Sequence, residues 1–267
     1  MTIKLRGRLF WGFCALSTSS FVLAGSALWV SGFEHLERLR SSGFGRADPL
    51  AFYMVLAAAG ASGLYAAILT GLVALRSGKT VSVEIFFFAL WAFCQSFELS
   101  KAGSLILGTH GASSVSFELV TRIALFGRYA GTIALFSGSL FSVGLKQERG
   151  MPVLTTTLMA GLLFASIQPL NSVFPGADFL ADRGMESLAG VFVVAVAAMA
   201  VVNYLIAWRS GKDRAYLSAG VGLIVCVAAS SMLRASPSLW MTVLSVPALA
   251  GGTWLHLKSL HDYYLWR

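Results

Sequence analysis

Residues 81–108 read VSVEIFFFALWAFCQSFELSKAGSLILG, and this stretch decides how the chain is understood. Its apolar residues cover every side of a helix instead of striping one face, so no side suits bulk water. A spanning helix needs about 20 predominantly apolar residues, and this segment supplies them. Yet Gln95, Glu98 and Lys101 lie inside it. Charges at that depth call for partners.

The rest of the chain has the same character. Of its 267 residues 57% are hydrophobic and 12% charged, with a mean hydropathy of +0.74. A soluble domain carries about 25% charged residues, so a soluble fold would expose apolar patches far larger than monomers tolerate. Water-soluble enzyme, secreted disulfide scaffold and disordered chain are thereby excluded. Unbroken apolar runs also fit helices rather than the alternating strands of a membrane barrel. The expected fold is an all-α, polytopic integral membrane helix bundle.

Eight spans are predicted, at 9–33, 50–75, 81–108, 115–145, 152–172, 186–208, 214–234 and 238–260. Seven is the alternative, because Pro247, Gly251 and Gly252 interrupt the last. The first run continues through Trp29 and Val30, beyond the roughly 7–15 residues of a cleavable signal core, and is read as a span. With the N-terminus inside, the cytoplasmic segments hold Lys4, Arg6, Arg8, Arg76, Lys79, Lys146, Arg149, Arg209, Lys212, Arg214, Lys258 and Arg267. The opposite side holds Arg38, Arg40, Arg46, Arg183 and Arg234. The positive-inside rule then puts both termini in the cytoplasm of a prokaryotic inner membrane, and an odd helix count would break the alternation. The net charge of +8 is spread over span ends, which argues against nucleic-acid binding. Cys14, Cys94 and Cys226 each lie in an apolar run without CxxC spacing, so neither a disulfide framework nor a metal ribbon is indicated.

One internal similarity stands out. Residues 72–79, LVALRSGK, and 205–212, LIAWRSGK, are identical at six of eight positions. They divide the chain into halves 1–133 and 134–267, as two parallel four-helix repeats would. The other reading is that any short cytoplasmic turn favours Gly for its backbone and Lys or Arg for orientation.

The candidate site lies in the third and fourth spans. A short connection near residues 109–114 makes them antiparallel, so Glu98 is predicted to reach Arg122 or Arg128, and Lys101 to reach Glu118. Glu98 and Lys101 are three apart, and Glu118 and Arg122 four apart, so each pair shares a helical face. Gln95 and Tyr129 extend the set with neutral hydrogen bonds. Two readings follow: a polar lock between helices, or a ligand site. Arg128 has no carboxylate within one turn on its own helix, and its guanidinium fork suits an anionic headgroup or a small carboxylate.

Other features carry less. The break at Pro247 would free backbone groups in the eighth span. His256 and His261 are five apart rather than the four that places two metal-binding histidines on one face. The tail Tyr263-Tyr264-Leu265-Trp266-Arg267 reads as an interfacial aromatic belt. Gly60-Ala61-Ser62-Gly63 matches the GxSG pattern of the rhomboid-type intramembrane proteases, but the fourth span contains no histidine, so close helix packing is the preferred reading. No cofactor or metal site is expected. The function these features predict is a non-enzymatic membrane component that binds a partner or senses a ligand. The alternative is a small transporter or lipid-handling protein with a site near Arg128. The expected partners are membrane lipids, other membrane-protein subunits or a second copy of the chain.

Overall fold

The structure, a computed structural model, describes residues 3–41, 48–76, 82–111, 113–211, 214–235 and 238–265. Arg46, the turn residues Ser77 to Lys79, Lys212 and the aromatic side chains of the tail from Tyr263 lie outside the described residues. The chain is an all-α, multi-pass membrane bundle, with seven helices long and apolar enough to cross a membrane.

Helix α1 (Ile3–Ser41) bends at Gly32, whose φ of 72° favours a residue without Cβ. Beyond the bend the chain stays helical through Ser41 where a loop is predicted from residue 34. Ion pairs along this extension account for the difference: Arg38 with Glu34 at 3.7 Å, and Arg40 with Glu37. Helix α2 (Pro49–Arg76) begins with proline at its first position, where a missing N–H costs nothing, and the Asp48 carboxylate accepts from Leu50 N at 3.1 Å. Helix α3 (Val83–Cys94) is capped by Ser82, whose hydroxyl accepts from Ile85 N at 3.1 Å. A 3-10 stretch, Gln95–Leu99, then leads into α4 (Ser100–Thr109), and the three pieces form one span. Helices α5 (Ser114–Ser142) and α6 (Gly150–Ile167) follow.

Helix α6 ends five residues before its predicted limit of 172. Pro169 disfavours helical backbone in the residue before it, and Gln168 accordingly turns extended, with ψ of 123°. Strands β1 (Leu170–Pro175) and β2 (Ala181–Arg183) pair antiparallel in a short hairpin. Phe179 at its tip is fully buried and meets the Phe52 ring at 4.8 Å, and Ala181 N donates to Thr121 Oγ1 at 2.9 Å. The hairpin is therefore part of the bundle rather than an external loop.

Helices α7 (Glu186–Arg209), α8 (Ala215–Ala235) and α9 (Leu239–Leu265) complete the chain. Helix α9 runs continuously through Pro247, so the predicted break is absent. It is not among the seven apolar spans, because Ser, Pro, Gly, Thr and His dilute its apolar residues. At 27 residues it is nonetheless long enough to cross, and it lies along α8 in the most extensive helix–helix contact of the bundle.

The third span is the axis of the fold. In its most apolar stretch 83% of residues are buried, against 6% in α1. Phe86, Phe87 and Phe88 are fully enclosed. Small residues let neighbours approach, which is how helices pack where lipid removes the hydrophobic drive. A Cβ added at Gly127 of α5 would stand 2.5 Å from Phe97 Cβ, and one at Gly138 2.9 Å from Phe87 Cβ. Between α8 and α9, a Cβ on Gly222 would stand 2.7 Å from His256 N.

Candidate functional site

Residues i and i+3 eclipse in a 3-10 helix, so the stretch Gln95–Leu99 stacks the Gln95 amide and the Glu98 carboxylate in one line, and Lys101 follows in the first turn of α4. Glu98 is the hub. Its Oε1 accepts from Arg128 Nε at 2.7 Å and its Oε2 from Arg128 Nη2 at 3.0 Å, a bidentate pair. Lys101 Nζ lies 3.1 Å from Oε2, and Arg234 Nε 3.4 Å from Oε1. Arg234 Nη2 also donates to Gln95 Oε1 at 2.7 Å. Lys101, Glu98 and Gln95 are all buried, at 1–2% exposure.

Charge does not balance within this contact set. Three cations meet one carboxylate. The acids of the adjoining hairpin and helix start, Asp178 and Glu186, are engaged by Arg183 at 3.1 and 2.7 Å. The Gln95 amide nitrogen is buried beside Arg234 and has no hydrogen-bond partner among the described residues.

The residues predicted to form one cluster fall into three groups. Glu98, Lys101, Arg128 and Gln95 meet as described. Lys101, in the first turn of α4, pairs with Glu98 three residues before it and not with Glu118, because neighbours three apart share a helical face. Glu118 and Arg122 form their own pair at 2.8 Å. Arg122 Nη1 donates further to the carbonyls of Ala165 and Ser166 at 2.9 and 2.8 Å. There it satisfies the unpaired C-terminal carbonyls of α6. Tyr129 donates to Gln168 and stays outside the Glu98 set.

Arg234 is the member that sequence reasoning assigned elsewhere, to a connection on the outer side. A signal for it existed: α8 contains no acidic residue at all, so a basic residue in its last turn must find its carboxylate on another helix. Glu84 was also passed over. It is 1% exposed in the first turn of α3, where the helix dipole favours negative charge, and it accepts from Tyr216 OH at 3.4 Å.

The remaining candidates have structural surroundings. His256 is buried, hydrogen-bonded through Nδ1 to Ala219 O at 2.8 Å and stacked on Phe88 at 4.4 Å, while His261 is exposed. No group of three or more His, Cys, Asp or Glu able to hold a metal occurs among the described residues. Ser62 donates back to Ala58 O at 3.0 Å, and a Cβ on Gly63 would collide with Leu99, so the GxSG stretch is a packing surface for the 3-10 segment.

Toward the opposite end of the bundle, a groove of about 730 Å³ opens between α2 and α9. Leu64, Ile68, Leu72, Val246 and Trp254 line it, and all are exposed. Tyr65 OH and Thr253 Oγ1 are hydrogen-bonded at 2.7 Å within its lining. Arg76, Lys258 and His261 stand at one end. Comparison with known protein families, characterised proteins and solved structures finds no match for this chain.

Proposed function

We propose that the protein is a non-enzymatic, ligand-sensing component of a prokaryotic inner membrane, with both termini cytoplasmic, and that its ligand is a small anion or carboxylate. The observation that carries this reading is the convergence of Lys101, Arg128 and Arg234 on the single carboxylate of Glu98 within contact distance. Buried charge in a membrane is costly, so excess cations mark a place for an anion. The unsatisfied Gln95 amide adds a donor beside Arg234, and Arg fits carboxylate and phosphate geometry better than Lys does. The arrangement offers no nucleophile–base pair, which favours binding over catalysis. Counting the 27-residue α9 as an eighth crossing beside α8 keeps the number of crossings even, so both termini share the side whose connections carry more Lys and Arg.

The test is thermal stability of the purified protein in nanodiscs while chloride, acetate or phosphate is titrated. A ligand bound only by the native state raises the midpoint as its concentration exceeds Kd. At least one of these anions should do so in the natural protein, and Arg234→Gln should abolish the shift while helicity by circular dichroism is retained. Absence of any anion effect would overturn the reading. A transporter working through Arg128 instead needs a water-filled route to it. In a background without Cys14, Cys94 and Cys226, Leu125→Cys would then react readily with aqueous maleimide; the sensing reading expects it to stay silent.

A further inference from the structure

We infer that the groove between α2 and α9 seats one anionic phospholipid, its acyl chains along the groove and its phosphate at Arg76 and Lys258. This is independent of the Glu98 centre and rests only on the chain being a membrane bundle.

The walls fit hydrocarbon. Leu64, Ile68 and Leu72 of α2 face Val246, Leu249 and Trp254 of α9 across a space of about 730 Å³, within the roughly 300–1,000 Å³ of ligand sites. The single internal polar contact, Tyr65 with Thr253, is satisfied within the protein, so an apolar occupant strands no donor there.

The end of the groove fits a headgroup. Arg76 is the last residue of α2, and Lys258 lies about two turns before the end of α9 with its ammonium 4.7 Å from the Trp254 ring. Both side chains are exposed, and neither forms an ion pair among the described residues. Among the described residues no acidic side chain lines the groove. Arg76 stands in the last turn of α2, where the helix C-terminus favours positive charge. Charge complementarity therefore commits the groove to an anionic lipid over a zwitterionic one. Tryptophan beside the basic residue is the side chain that settles at headgroup depth.

Native mass spectrometry of the full chain, delipidated and titrated with phosphatidylglycerol or phosphatidylcholine, tests this. One phosphatidylglycerol should be retained preferentially, and Arg76→Gln with Lys258→Gln should reduce that preference about tenfold or more. The double change Arg8→Gln with Arg149→Gln, which removes two basic residues outside the groove, should leave it intact. Ile68→Trp should displace both lipids by filling the groove. Equal retention of the two lipids, a preference untouched by the first double variant, or a second copy of the chain cross-linked through Ile68→Cys would each overturn the inference. Both substituted cations are exposed, so loss of fold is not the expected cause, and an unchanged melting midpoint checks this.

Discussion

The two ends of this bundle use positive charge in opposite ways. At the Glu98 centre, three cations are withdrawn from solvent and share a carboxylate that accepts from Arg128, with Lys101 and Arg234 at its oxygens. At the α2–α9 groove, Arg76 and Lys258 are exposed and meet no carboxylate among the described residues. The difference separates two meanings of a basic residue in a membrane protein. A buried cation is held by the fold and helps hold it. An exposed cation beside an apolar groove contributes little to the fold and is free to act on something outside it.

Removing the hub is the severest way to break this contrast. Glu98→Gln leaves three buried cations without their counter-charge, which should cost about 3–5 kcal/mol. Arg76→Gln at the exposed end should change stability by no more than about 0.5 kcal/mol. Denaturation in mixed micelles measures both; comparable losses would erase the distinction. Next comes the joint behind the groove. Gly222→Leu forces a side chain against the α9 backbone at His256 and should cost about 1–3 kcal/mol, read in the same assay. Within the centre, Arg234→Gln should cost about 1–2 kcal/mol and less than Arg128→Gln, since Arg234 makes one contact to Glu98 where Arg128 makes two. A double-variant cycle with Glu98→Gln measures the couplings.

The smallest effect lies outside the membrane. The hydrogen bond from Arg40 holds the Glu37 carboxyl below the usual carboxylate range. A lowered folded-state pKa means that the pair's contribution is present above the unfolded value of about 4.3 and is lost as pH falls through the lower folded value. Arg40→Gln should move the Glu37 midpoint upward in a carbon-detected NMR titration.

The membrane class and the helix positions were legible because apolar length is a strong signal, as in VFVVAVAAMAVVNYLIAW at 191–208. The end of α6 at Ile167 was legible in principle from Pro169, which disfavours helical backbone in the residue before it. Local ion pairs hid the helical extension to Ser41 inside what looked like a charged loop. For the candidate site, antiparallel register placed Glu98 near Arg128, because two neighbouring helices constrain each other closely. Arg234 was not legible from register. It stands 139 positions from Gln95, on a helix whose approach is set by packing that no local pattern encodes. Continuity through Pro247 reflects the same limit: the contact with α8 carries α9 past a residue that, alone, signals a break.

The five-residue interlude in the third span has a geometric consequence. Each of its residues turns the chain about 120° instead of 100° and climbs about 2.0 Å instead of 1.5 Å. Across Gln95–Leu99 that advances α4 by about 100° of phase and about 2.5 Å relative to an uninterrupted α-helix. One membrane crossing thus serves two compass bearings, α3 pressing chiefly on α5 and α4 leaning on α1 as well. The hub carboxylate stands inside the swivel itself, so the azimuth of the upper half and the address of its charge are set together.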